Sequence, residues 1–251
     1  MTAVLELSTA TLAWCFAALL LGGTVKGTIG IGLPLVSVPL LAMQLPVPTA
    51  IAVLGLPVLI SNLVQMNVGG GLRPAVARFW PLLAALVCGI LIGAHLLAAI
   101  DERRLSLFLG CLVIVFALLN LVGGRLTIPL SAERWIGPPL GFAAGVLGGL
   151  SSFFGPPVVM YFVALKMPKT SFVSAIALIY FAGTLPLYAA MAWLSLFGLP
   201  EVALSALALL PVGVGLWIGQ HLRQRLPQDL FSRLVLVLLT VIGATLIWRA
   251  L

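Results

Sequence analysis

The chain alternates between long apolar runs and short polar turns. A helix needs about 20 mainly apolar residues to cross the hydrocarbon core of a bilayer. About eight runs reach that length, near 9–43, 48–68, 76–100, 105–123, 135–165, 170–196, 200–222 and 230–248. The first and fifth are too long for one straight crossing and are interrupted by glycine and proline. The pattern predicts an all-α polytopic membrane protein of about eight transmembrane helices, with the first and fifth spans broken or re-entrant. No connection between runs is long enough for a soluble domain.

The two halves look alike. Gly32-Leu33-Pro34 aligns with Gly155-Pro156-Pro157, and Ile92-Gly93-Ala94-His95-Leu96 aligns with Ile218-Gly219-Gln220-His221-Leu222. The expected organisation is a four-span repeat over residues 1–124, a polar linker over 125–134 and a second four-span repeat over 135–251, all in one integral membrane unit. This alignment sets Gly149 opposite Lys26.

Composition agrees with a membrane protein. Of 251 residues, 62% are hydrophobic and 8% charged, with a mean hydropathy of +1.25. A soluble domain is about 45–50% apolar and about 25% charged. The net charge of +7 belongs mainly to turns between apolar runs, so it speaks to membrane orientation and not to nucleic acid. With eight alternating crossings, Arg103, Arg104, Lys166, Lys169, Arg223, Arg225 and Arg233 share one side. Arg73, Arg78, Arg125, Arg134 and Arg249 share the other, a slight bias toward both termini lying outside. Cys15, Cys88 and Cys111 sit in apolar runs with no CxxC or Cys/His spacing, so neither a metal nor a cofactor is expected. The first residues carry no positive segment, so no cleaved signal peptide is expected.

Candidate chemistry concentrates at the two broken runs. Glycine and proline oppose continuous helix, and unpaired backbone at membrane depth is tolerated only inside protein or against a wet cavity. A new helix beginning there presents N–H groups and a positive dipole end to an anion. Lys26 adds a full charge beside the first break, and an intramembrane cation is a hypothesis of function. Snorkelling toward an interface is its structural alternative. Lys26, Gly27, Gly30, Gly32 and Pro34 in the first run and Ser151, Ser152, Gly155 and Pro156 in the second are therefore candidate substrate-binding residues. Asn62 and Gln65, on one face of the second span, join them as amide donors; interhelical hydrogen bonding is the alternative. Tyr180 and Thr184 are their nearest equivalents in the second half. Gly22, Gly23, Gly141 and Gly145 read as helix-packing glycines. His95 and His221 are candidates for proton coupling, although each lies near a charged turn, where an interfacial role also accounts for it.

The absences narrow the function. All six acidic residues, Glu6, Asp101, Glu102, Glu133, Glu201 and Asp229, fall at loops or span ends. A basic interior without carboxylates favours a negative solute over a cation. Gly22-Gly23-Thr24-Val25-Lys26-Gly27-Thr28 lacks the Gly-Lys-Ser/Thr order of a phosphate loop, so ATP-driven transport by this chain is not expected.

Residues 22–41, with their glycine-rich break running into Pro34 and Pro39, resemble the first signature of the sulfite exporter TauE/SafE family. Residues 141–165, ending in the Gly155-Pro156-Pro157 turn, resemble the second. The likeness extends over nearly the whole chain. It departs at Gly30-Ile31-Gly32-Leu33-Pro34, where members commonly carry adjacent glycines, and at Phe153-Phe154. The resemblance implies a permease for sulfite or an organosulfur anion in the cell membrane. Alternating access at two pseudo-symmetric broken helices is the expected mechanism. A passive anion channel is the alternative, with a membrane-embedded enzyme or assembly factor behind it. The expected partners are a small anion and the bilayer; self-association into a homo-oligomer stays open, and no nucleic acid is expected.

Overall fold

A computed structural model describes residues 8–66, 72–122, 128–129, 132–167, 169–223, 225 and 228–251. Among them the chain is helical, without strands. The helices are α1 (Thr9–Ile29), α2 (Leu33–Leu41), α3 (Val47–Val53), α4 (Gly55–Met66), α5 (Leu72–Ala99), α6 (Glu102–Val122), α7 (Glu133–Ser151), α8 (Gly155–Ala164), α9 (Lys169–Trp193), α10 (Leu199–Arg223) and α11 (Gln228–Ala250). Within the described residues, α1, α5, α9 and α10 are each long and apolar enough to cross a membrane, and α3 with α4 makes a fifth, bent candidate. With many apolar side chains facing outward, among them Trp80, Trp193 and Trp217, the molecule is a multi-pass membrane protein.

Two compact units form, and each draws on both halves of the sequence. The first comprises Met1–Pro57, Ile100–Gly123 and Phe197–Leu251. In it α1 and α10 run parallel with glycine against glycine. A methyl group on Gly23 would lie 2.6 Å from the Val212 carbonyl oxygen, and one on Gly27 would lie 3.0 Å from the Gly219 Cα. Without a hydrophobic driving force in lipid, such close backbone approach is what holds helices together. The Thr28 hydroxyl adds a hydrogen bond to the Gly219 carbonyl at 3.1 Å. Gly110 and Gly243 do similar work between antiparallel α6 and α11.

After α1 the chain turns back on itself. The Ser37 hydroxyl donates to the Ala18 carbonyl at 3.3 Å, and the Trp14 indole N–H donates to the Leu40 carbonyl at 2.7 Å. Gly22 leaves the space that the Ser37 side chain fills. The first broken run is thus a helical hairpin whose return limb is α2. At its open end, Glu102 accepts the Val47 amide at 2.9 Å, capping α3, and Arg249 donates to the Met43 carbonyl at 2.6 Å.

The second unit comprises Val58–Ala99 and Gly124–Leu196. Here α5 and α7 run parallel, again glycine on glycine. A methyl on Gly149 would lie 2.6 Å from the Ile90 carbonyl oxygen, and one on Gly145 would lie 3.0 Å from the Gly89 Cα. The chain turns back after α7 as well. The Ile128 amide donates to the Ala164 carbonyl at 3.0 Å, and the Tyr161 hydroxyl donates to the Glu133 carbonyl at 3.0 Å. Both broken runs therefore fold as a helix, a reversal and a shorter return helix.

Candidate functional site

Each hairpin tip is built from local backbone chemistry. Helix α1 ends at Gly30, in the left-handed region with φ 91°, whose amide donates to the Lys26 carbonyl at 2.7 Å. Gly32 is left-handed too, with φ 102°, and α2 starts directly after it. Two left-handed residues within three positions are what reverse the chain, and a β-carbon at each would cost about 1–2 kcal/mol. Pro34 sits in the first turn of α2, where a missing N–H is tolerated.

The second tip achieves the same reversal with different residues. Ser152, with φ 63°, takes the place of Gly30, and its amide donates to the Gly148 carbonyl at 2.6 Å. The cap therefore pairs Lys26 with Gly148, one position from the Gly149 that sequence alignment gives. The Ser151 hydroxyl donates to the Leu147 carbonyl at 2.6 Å and accepts the Phe153 amide at 3.3 Å. Helix α8 then opens with Gly155-Pro156-Pro157. Its two prolines remove two donors from the first turn, whereas Pro34 removes one from α2.

The candidate residues divide between the units. Lys26, Gly27, Gly30, Gly32 and Pro34 belong to the first, and Lys26 is only 6% exposed in the last turn of α1. A cation there is favoured by the carbonyl end of the helix dipole. Gly27 faces α10, which gives it a packing role. Ser151, Ser152, Gly155 and Pro156 belong to the second unit, as do Asn62 and Gln65 on α4. Asn62 is buried and its amide group donates to the Val58 carbonyl at 2.8 Å, one turn back; Gln65 is half-buried.

Tyr180 enters the second tip more directly than its place in the sequence indicates. Its hydroxyl occupies the space beside Gly155 that any side chain there would need, and its ring lies 5.1 Å from that of Phe154. The Thr184 hydroxyl donates to the Tyr180 carbonyl.

His95 and His221 are exposed, and each ring Nδ1 bonds the carbonyl one turn back, Leu91 at 2.7 Å and Trp217 at 2.8 Å. Their glycine neighbours set their level: Gly93 meets Gly149 and Gly219 meets Gly27, so each histidine lies level with the tip of its own unit. Sequence reading missed the cluster of Arg78, Glu133 and Tyr161. Its members are 55 and 28 residues apart, too far for any local spacing to reveal.

No curated protein and no solved structure matches the chain. A family description does, "Sulfite exporter TauE/SafE", over residues 15–246. A membrane-embedded helical protein with two hairpin breaks and a match over nearly its whole length belongs to the TauE/SafE family of membrane transporters.

Proposed function

We propose that this protein is a secondary permease that moves a small anion, sulfite or an organosulfur anion, across the cell membrane by alternating access at its two broken helices. The observation that carries this reading is Lys26, a buried cation one turn before the left-handed cap of the first hairpin. A charge at such a place is costly unless it serves a polar solute or partner. The first tip supplies the cation, and the start of α2 supplies backbone N–H groups. In the other unit the second tip presents the Ser152 and Tyr180 hydroxyls, while the Ser151 hydroxyl donates to the Leu147 carbonyl. The Asn62 and Gln65 amides are that unit's further donors to an oxyanion. The like caps, like glycine pairs and like reversals in the two units support an internal duplication, and paired helix breaks in repeated halves point to a transporter's binding site.

The test is uptake by proteoliposomes loaded with sulfite, thiosulfate, sulfate, an alkylsulfonate or a carboxylate. Saturable flux stimulated by the same anion on the opposite face supports a carrier. Flux that neither saturates nor responds to the opposite face supports the passive channel instead.

A further inference from the structure

The end of the second unit where α5, α7 and α9 begin carries Arg73, Arg78, Arg134 and Lys166, whereas its opposite end carries no charged side chain among the described residues. Cations concentrate on the cytoplasmic side of membrane proteins, so this is the cytoplasmic end. A cavity of 580 Å³ opens there, lined by Ala77, Arg78, Trp80, Glu133, Arg134 and Tyr161 among others. None of its residues belongs to either hairpin tip.

The chemistry of the lining is unequal. Arg78 is clamped by Glu133, Nε to Oε1 at 2.6 Å and Nη2 to Oε2 at 2.7 Å, and packs over Phe79 at 5.1 Å from the ring centroid. A guanidinium has five N–H groups, so this fork fixes the plane of Arg78 and leaves three donors for another acceptor. Glu133 is itself held, because the Tyr161 hydroxyl donates to its carbonyl at 3.0 Å. Arg134 is exposed, and its charge has no counterpart in the cavity once Glu133 is matched to Arg78. Trp80, 62% exposed, forms an apolar wall on the outward face. Tryptophan at this level anchors in the headgroup region.

We propose that this cavity binds the headgroup of an anionic phospholipid from the cytoplasmic leaflet. The phosphodiester lies on Arg134 and the free edge of Arg78, and the glycerol and upper acyl chain lie along Trp80. Charge complementarity selects the occupant: the leaflet supplies anionic lipid, and basic pockets between helices on that side retain such headgroups. The site holds the α5–α7 pair at its open end and is independent of the transported anion.

The experiment uses the purified full-length protein and short-chain phosphatidylglycerol, with phosphatidylcholine of the same chains and inorganic phosphate as the other arms, read by native mass spectrometry. Phosphatidylglycerol is expected to bind and phosphatidylcholine to bind at least about fivefold more weakly. Arg134→Gln is expected to weaken phosphatidylglycerol by about fivefold with an unchanged unfolding temperature. Ala77→Trp, which fills the cavity and keeps every charge, is expected to abolish binding. Equal binding of the two lipids, undiminished binding in either variant, or displacement of the lipid by equimolar inorganic phosphate would overturn the proposal. The last result would assign the cavity to a soluble oxyanion.

Discussion

The Trp14 indole N–H donates to the Leu40 carbonyl at 2.7 Å, joining residues 26 positions apart in the chain. With Ser37 on Ala18, this contact brings the end of α2 back toward the beginning of α1. Residues after α2 therefore emerge on the side where α1 began. Single cysteines at Ser8 and Gln44, both exposed positions, in a background lacking Cys15, Cys88 and Cys111 test this. An impermeant maleimide is expected to label both from the same face of sealed vesicles. Labelling from opposite faces would restore a straight crossing.

The parallel glycine pairs set the strength of each unit. Gly23→Ala or Gly149→Ala drives a methyl against a facing carbonyl and is expected to lower stability by roughly 1–3 kcal/mol, as overpacking does. Gly213→Ala is the internal control, since a methyl there meets nothing within 4 Å. Thermal unfolding in detergent is expected to separate the two classes clearly, with Gly213→Ala unchanged or slightly stabilised.

Gly155 and Tyr180 are coupled. Gly155→Ala must displace the Tyr180 hydroxyl, at a cost of roughly 1–3 kcal/mol. Tyr180→Phe removes the nearest obstructing atom and leaves the ring Cζ behind it, so part of the clash is relieved and the double variant is expected to be more stable than the sum of its parts by about 0.5–3 kcal/mol. Strict additivity in a double-mutant cycle would mean that the hydroxyl does not occupy that space.

His95 and His221 are each tied to their own helix through Nδ1. His95→Gln, His221→Gln and the double variant are expected to keep the wild-type pH profile of anion flux in proteoliposomes. A flattened or displaced profile in either single variant would give that histidine a part in proton coupling.

Much of this architecture was legible in the residues. Gly30, Gly32 and Pro34, and Gly155 with Pro156 and Pro157, announce the breaks because their backbone chemistry is local. The direction of the chain after each break is not local. It depends on Trp14 reaching Leu40 and on Tyr161 reaching Glu133, contacts that hydropathy does not encode. In the second run Pro57 reads as a kink, and the bend falls three residues earlier, at Leu54, an ordinary helix former with no signal of its own. Gly27 shows the limit of reading glycines alone. It is identical in type to Gly30, yet it faces Gly219 while Gly30 turns the chain. Ser152 shows the converse, a left-handed cap without a glycine.

The account turns on Lys26, and equilibrium binding of sulfite and thiosulfate to the purified protein tests it most directly. Loss of a charge-assisted contact is worth about 1.5–3 kcal/mol, so Lys26→Gln is expected to weaken the bound anion by about tenfold or more, while Lys26→Arg retains measurable affinity. Unchanged affinity in a folded Lys26→Gln protein, for every anion the wild type binds, would contradict the assignment of the first hairpin tip as the anion site.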